Sequence, residues 1–79
     1  MSPTVLRVGA FRFFFFSREE PRVHVHVQGP DGEAKFWLDP EITLAENVGL
    51  TASTLRRIER LVRQHEGDIR TAWRQHFGR

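Results

Sequence analysis

Between Arg22 and Gln28 the chain alternates strictly, with Val23, Val25 and Val27 set against His24 and His26. Successive side chains leave opposite sides of an extended backbone, so this pattern fits a strand with one apolar face. A helix would scatter the three valines around its circumference. Gly29-Pro30-Asp31-Gly32 follows as a cluster of turn residues, and Glu33 to Leu38 resumes β-forming sequence, so the two runs predict a hairpin. The rest of the chain must therefore supply more sheet on either side and a second layer for the valine face.

Upstream, Thr4 to Val8 is β-branched and aliphatic, Gly9-Ala10 offers a tight connection, and Phe11 to Ser17 carries aromatic β-formers at nearly every position. Arg18-Glu19-Glu20-Pro21 ends that run with charge and a residue lacking a backbone donor. These segments predict a four-stranded, mainly antiparallel sheet over roughly residues 4–38, closed by Asp39-Pro40. Residues 41–51 read as a connection with a helical turn around Ile42 to Glu46. Thr51 or Ser53 is an N-cap candidate. Beyond it Leu55, Ile58, Val62, Ile69, Ala72 or Trp73, and His76 or Phe77 recur at three- and four-residue steps, the stripe of an amphipathic helix over residues 52–77. Gly67 interrupts it at a cost of about 1 kcal/mol relative to alanine, while the apolar phase continues. One long helix and two helices joined near Gly67 are both allowed. The expectation is a single α+β domain over residues 1–79, strand-rich to 40, connecting over 41–51 and helical over 52–79, with the helical part packed on one face of the sheet.

A chain of 79 residues has room for one core. It holds no cysteine, which removes disulfides, thiolate metal sites and thiol nucleophiles and fits a reducing compartment. No run of about eighteen apolar residues exists to span a membrane. Arg7 and Arg12 break the N-terminal apolar stretch, which lacks a signal-peptide cleavage site, so cytoplasmic residence is expected. No phosphate-cradling glycine loop, zinc-finger spacing, serine nucleophile arrangement or spaced carboxylate pair is present, and no cofactor is implied. The formal net charge is +2, but the basic residues are unevenly placed. Residues 53–79 carry seven arginines against Glu59, Glu66 and Asp68, so an anionic partner should feel the C-terminal half first.

The order of several short motifs is also familiar. Pro3-Thr4-Val5-Leu6-Arg7, Phe11-Arg12-Phe13-Phe14-Phe15-Phe16-Ser17, His24-Val25-His26-Val27, Glu33-Ala34-Lys35-Phe36-Trp37-Leu38, then Ala72-Trp73 and Phe77-Gly78 together resemble the small bacterial family called domain of unknown function 4160. In that family the histidine pair usually follows proline directly, whereas Arg22 and Val23 intervene here after Pro21. The resemblance implies a genetic context: members are commonly encoded beside a second small protein, an arrangement like that of a toxin and its antitoxin. It supplies no catalytic residue.

His24 and His26 should leave the same face of their strand, roughly 6.5–7 Å apart. Three uses are open for them. They could be polar residues on the solvent face of a hairpin, base and acid straddling a phosphate in metal-independent RNA cleavage, or two ligands for a divalent metal whose third ligand comes from His65, His76, Glu33 or Asp39. The face they occupy is expected to gather Arg7, Arg12, Lys35, Phe14, Phe16 and Trp37, the mixture of cations and rings with which single-stranded RNA is held. A one-residue change of register would send Phe14 and Phe16 to the core instead. On the helix, Arg56, Arg60, Arg63, Arg70 and Arg74 fall in a sector about 80° wide opposite the apolar stripe. That sector is either a track for a nucleic-acid backbone or a solvated face, since Glu59 with Arg63 and Glu66 with Arg70 are well-placed pairs.

Two functions are therefore expected in competition. One is a toxin-like component of a two-protein bacterial system, binding and cleaving RNA with His24 and His26 as catalytic groups and Arg7, Arg12, Lys35, Trp37, Arg56, Arg60 and Arg63 as nucleic-acid contacts. The other is a non-enzymatic adaptor that binds the neighbouring small protein or forms a homodimer. Neither involves a membrane, a cofactor or a resident metal.

Overall fold

A computed structural model of the chain describes residues 4–16 and 21–78. Five strands, β1 (Thr4–Val8), β2 (Phe11–Phe14), β3 (His24–Gly29), β4 (Gly32–Trp37) and β5 (Thr43–Val48), form one sheet in sequential order, followed by α1 (Ala52–Gln64) and α2 (Glu66–Phe77). Every neighbouring pair is antiparallel. The strict alternation of β3 sets the register: Val25 faces Phe36 across the β3–β4 pair and Val27 faces Ala34, with Phe13 opposite Val27 on the other side. These residues lie in one core cluster with Ile58, Val62, Ile69 and Trp73 of the helices. The helices thus cover the valine face, as the alternation requires.

The α+β class and the C-terminal helical layer agree with the sequence reading, but the sheet has five strands where four were expected. The fifth falls in the segment read as a connection with a helical turn. Leu44, Ala45 and Glu46 are good helix formers by themselves. They are extended here because β4 offers its outer backbone edge, and edge pairing overrides local propensity. The side chains of β5 gave no warning: all six residues are exposed or half-buried, and the ladder slips between Lys35↔Glu46 and Phe36↔Leu44, which breaks period-two alternation. The far end of this pairing depends on glycine. A Cβ at Gly32 would collide with the carbonyl oxygen of Val48, and Gly49 follows at φ 84°.

β2 ends at Phe14 rather than Ser17, and the charged terminator Arg18 to Glu20 lies outside the described residues. At its start, α1 is capped by Thr51, whose Oγ1 accepts from the Thr54 backbone N–H at 3.1 Å. Of the two helical arrangements allowed, two helices is the observed one, and the junction is His65 (φ −104°, ψ 16°) rather than Gly67. Helical hydrogen bonding passes through it, with His65 N–H donating to Leu61 O at 2.9 Å and Ile69 N–H to His65 O at 3.0 Å. That continuity explains why the apolar stripe keeps its phase. Among the described residues no helix is long and apolar enough to cross a membrane.

Candidate nucleic-acid interface

The side of the sheet away from the core cluster collects the residues that alternate with it. Arg7 pairs directly with Arg12 across β1 and β2, Phe14 with His26 across β2 and β3, and His26 with Lys35 and His24 with Trp37 across β3 and β4. Phe14 lies on this side while Phe13 and Phe15 enter the core, so the phenylalanine run divides between the two faces. Phe16 is also in contact with this side, its ring 4.5 Å from that of His26 and 72° to it.

Two like charges opposite one another on adjacent strands are unfavourable. Arg12 is held by its neighbours: its Nε donates to Thr4 Oγ1 at 2.8 Å, and its guanidinium lies 4.5 Å over the Phe14 ring. Arg7 is exposed, and with Arg12, Thr4 and Gln28 it borders an open hollow of about 440 Å³. At the opposite corner the Trp37 ring carries two cations, Arg22 at 4.1 Å and Lys35 at 4.3 Å. Arg22 is fixed by donating from Nε to the Asp39 carbonyl at 2.8 Å, and Lys35 lies 3.9 Å from Glu46.

The histidine pair is not arranged as the spacing alone suggests. His24 is fully enclosed (0 % exposed), with its ring 5.2 Å from Trp73 of α2 and 5.4 Å from Trp37 of β4. Its Nδ1 meets the Arg22 carbonyl at 2.7 Å, and a carbonyl only accepts, so Nδ1 carries the proton. His26 is half-buried and stacks on Phe14 at 5.4 Å. The two imidazoles touch edge to face at 5.1 Å between centroids. They are adjacent, but they do not stand as two open groups with a phosphate-sized gap between them. Among the described residues no three His, Asp or Glu side chains assemble into a metal-holding group.

The helix arginines are elsewhere. Arg56, Arg60 and Arg63 are exposed on α1, the layer that covers the opposite side of the sheet, so they do not share a surface with Arg7, Arg12, Lys35 and Trp37. Arg63 pairs with Glu59 at 3.1 Å. Arg70 is a clasp: Nε donates to Glu66 at 2.8 Å, Nη1 to Asp39 at 2.8 Å and Nη2 to the Leu38 carbonyl at 2.8 Å. The Glu66 hydrogen bond, assisted by Asp39 and opposed by partial burial, raises its pKa further above the ordinary arginine value.

Sequence reasoning missed two members of this arrangement. Arg22 was visible only as a cation just before the strand, and nothing local reports that it will lie on Trp37. The tie from Arg70 to Asp39 spans too many residues for any local pattern to show it.

No curated protein and no solved structure matches this chain. The profile of the family described as domain of unknown function (DUF4160) matches residues 10–74, and the chain therefore belongs to that family.

Proposed function

We propose that this protein binds RNA through the open face of its sheet, as the toxin-like component of a two-protein bacterial system in the cytoplasm. The observation that carries this reading is the convergence of Arg7, Arg12, Arg22 and Lys35 with Phe14, Phe16, Trp37 and His26 on the side of the sheet away from the helices. Cations among rings on a sheet surface suit single strands, whose backbone is exposed along its length. Arg56, Arg60 and Arg63 lie on the helical side and would meet only a longer RNA that passes around the molecule. Cleavage is the further step of this reading. It would use His26 with His24 as acid and base, and the enclosed His24 would have to open toward the ligand. The direct test measures RNA binding by the wild type and by Arg7→Ala with Arg12→Ala, and follows growth and RNA integrity on expression of the wild type, His24→Ala and His26→Ala. Loss of binding in the arginine variant supports the interface. Identical RNA profiles in the last three proteins remove cleavage and leave binding standing.

A second reading, the adaptor, is favoured by β5. This edge strand has neither lysine nor proline to guard it and exposes Leu44 (45 %) and Val48 (70 %). An added strand from the neighbouring small protein, or from a second copy, would pair with it. Co-purification with the neighbour that Leu44→Lys and Val48→Lys abolish supports this reading. A stable monomer that ignores the neighbour removes it.

A further inference from the structure

α1 carries four arginines, Arg56, Arg57, Arg60 and Arg63, against one acid, Glu59. All four arginines are exposed, in a sector about 120° wide and about 10.5 Å long, away from the buried Ile58 and Val62. Glu59 is taken by Arg63 at 3.1 Å. Among the described residues Arg56 and Arg60 make no hydrogen bond, ion pair or ring contact, and Arg57 touches only the Phe11 ring, 5.5 Å away.

This arrangement works against the helix. Arg60 has Arg56 four residues before it, Arg57 three before it and Arg63 three after it, and like charges at those separations repel. Acids among them would stabilise α1, as Glu59 does by pairing with Arg63. The fold therefore gives no reason for the row, whereas an anionic partner does.

The chemistry of the surface narrows the partner. Protein interfaces are organised around buried apolar anchors. No large apolar side chain of α1 is exposed, and Leu55 and Leu61 pack against the core. Single-stranded RNA is held in a positive groove with rings on which its bases stack. α1 has no aromatic residue, and the outer side of a helix is convex. Paired RNA hides its bases and presents phosphates and 2′-hydroxyls along a wide, shallow groove, across which a helix can lie. Guanidinium groups with uncommitted donors suit those phosphates.

Resting on the RNA-binding reading above, we infer that α1 is a separate contact for double-stranded RNA, gripped through its phosphates by Arg56, Arg57 and Arg60. The two layers of the molecule then take different parts of an RNA, the open sheet face an unpaired segment and α1 a stem.

Fluorescence anisotropy on the full chain tests this with an RNA duplex of about 16 base pairs, the DNA duplex of the same sequence, and single-stranded oligouridine. Arg56→Gln with Arg60→Gln is the variant, and its thermal melt should match or exceed that of the wild type, because neither side chain holds the fold and their repulsion is relieved. At about 0.9 in log–log salt slope per duplex phosphate held, three arginines give about −2.7 on the RNA duplex. The variant should flatten that slope by about 1.8, which amounts to about 60-fold weaker binding at 0.1 M salt relative to 1 M. Its oligouridine affinity should change by no more than about twofold, since that site lies on the other layer. An RNA-duplex affinity and slope unchanged in the variant overturn the inference and leave RNA binding by the sheet intact. So does a wild type that binds oligouridine but not the duplex, or that binds the DNA duplex more tightly than the RNA duplex. Unchanged duplex binding with lost co-purification of the neighbouring small protein overturns it in favour of a protein partner for α1. Failure of every RNA probe to bind the wild type overturns both readings.

Discussion

Replacing Arg70 by methionine keeps most of the aliphatic stem and removes the guanidinium, which isolates the clasp between α2 and the end of β4. Three bonds are lost and they differ in weight. Leu38 is fully buried, so its carbonyl, deprived of a donor, costs about 1–2 kcal/mol. The Asp39 carboxylate is 48 % exposed and water replaces much of what Arg70 gives it, so that pair is worth about 0.5 kcal/mol. The Glu66 pair is an (i, i+4) helix pair worth about 0.3–0.5 kcal/mol. The expected loss is about 2–3 kcal/mol, which in a domain of this size lowers Tm by roughly 10–20 °C. Arg63→Met is the comparison, because it removes the half-exposed Glu59 pair, and it should shift Tm by only about 2–4 °C. Thermal melts of the two variants by circular dichroism, with urea titrations to confirm an unchanged m-value, decide the matter. Equal losses would refute the assignment of the stabilisation to the buried Leu38 carbonyl and the cross-layer tie.

Thr51→Ala should cost about 1 kcal/mol in urea titration, because the Thr54 N–H loses its capping oxygen; no change would mean that another group caps α1. Gly32→Ala should destabilise the protein and selectively raise amide exchange in β5, since the new Cβ collides with the Val48 carbonyl. Uniform protection in that variant would contradict the close approach. His24→Ala should cost about 2–4 kcal/mol from the cavity it leaves among Trp37, Trp73 and His26 and from the freed Arg22 carbonyl, and the half-buried His26→Ala should cost less. The reverse order would mean that His24 is not the enclosed member of the pair.

What the sequence revealed and what it hid follow one physical division. Val23 to Val27 fixed the hairpin and its buried face because a half-buried strand must alternate. Ile58, Val62, Ile69 and Trp73 were legible for the analogous reason at helical period. β5 was not, because an edge strand held by backbone pairing needs no apolar pattern. The open-face candidates Arg7, Arg12, Lys35 and Trp37 could be named from the sequence, but their side of the sheet follows from the register of the neighbouring strands, which parity within one strand does not set. Their supports could not, because a cation resting on a ring across two strands is fixed by tertiary register. The enclosure of His24 shows the same limit: parity gives its side of the strand, whereas α2, some fifty residues later, supplies the Trp73 that helps close over it.

Because each strand pairs only with its neighbours in the chain, no hydrogen bond of the sheet requires a helix. During synthesis from the N-terminus, all five strands emerge from the ribosome ahead of α1 and α2, and their ladders close from short-range contacts. Until the helices follow, however, Val25, Val27, Phe13 and Phe36 form a bare apolar surface on a sheet with two open edges. A nascent chain stalled after β5 is thus a sticky half-sandwich, and the last third of the sequence does for solubility what it does for the core. In a cell, the rate at which α1 and α2 emerge sets how long that hazard lasts.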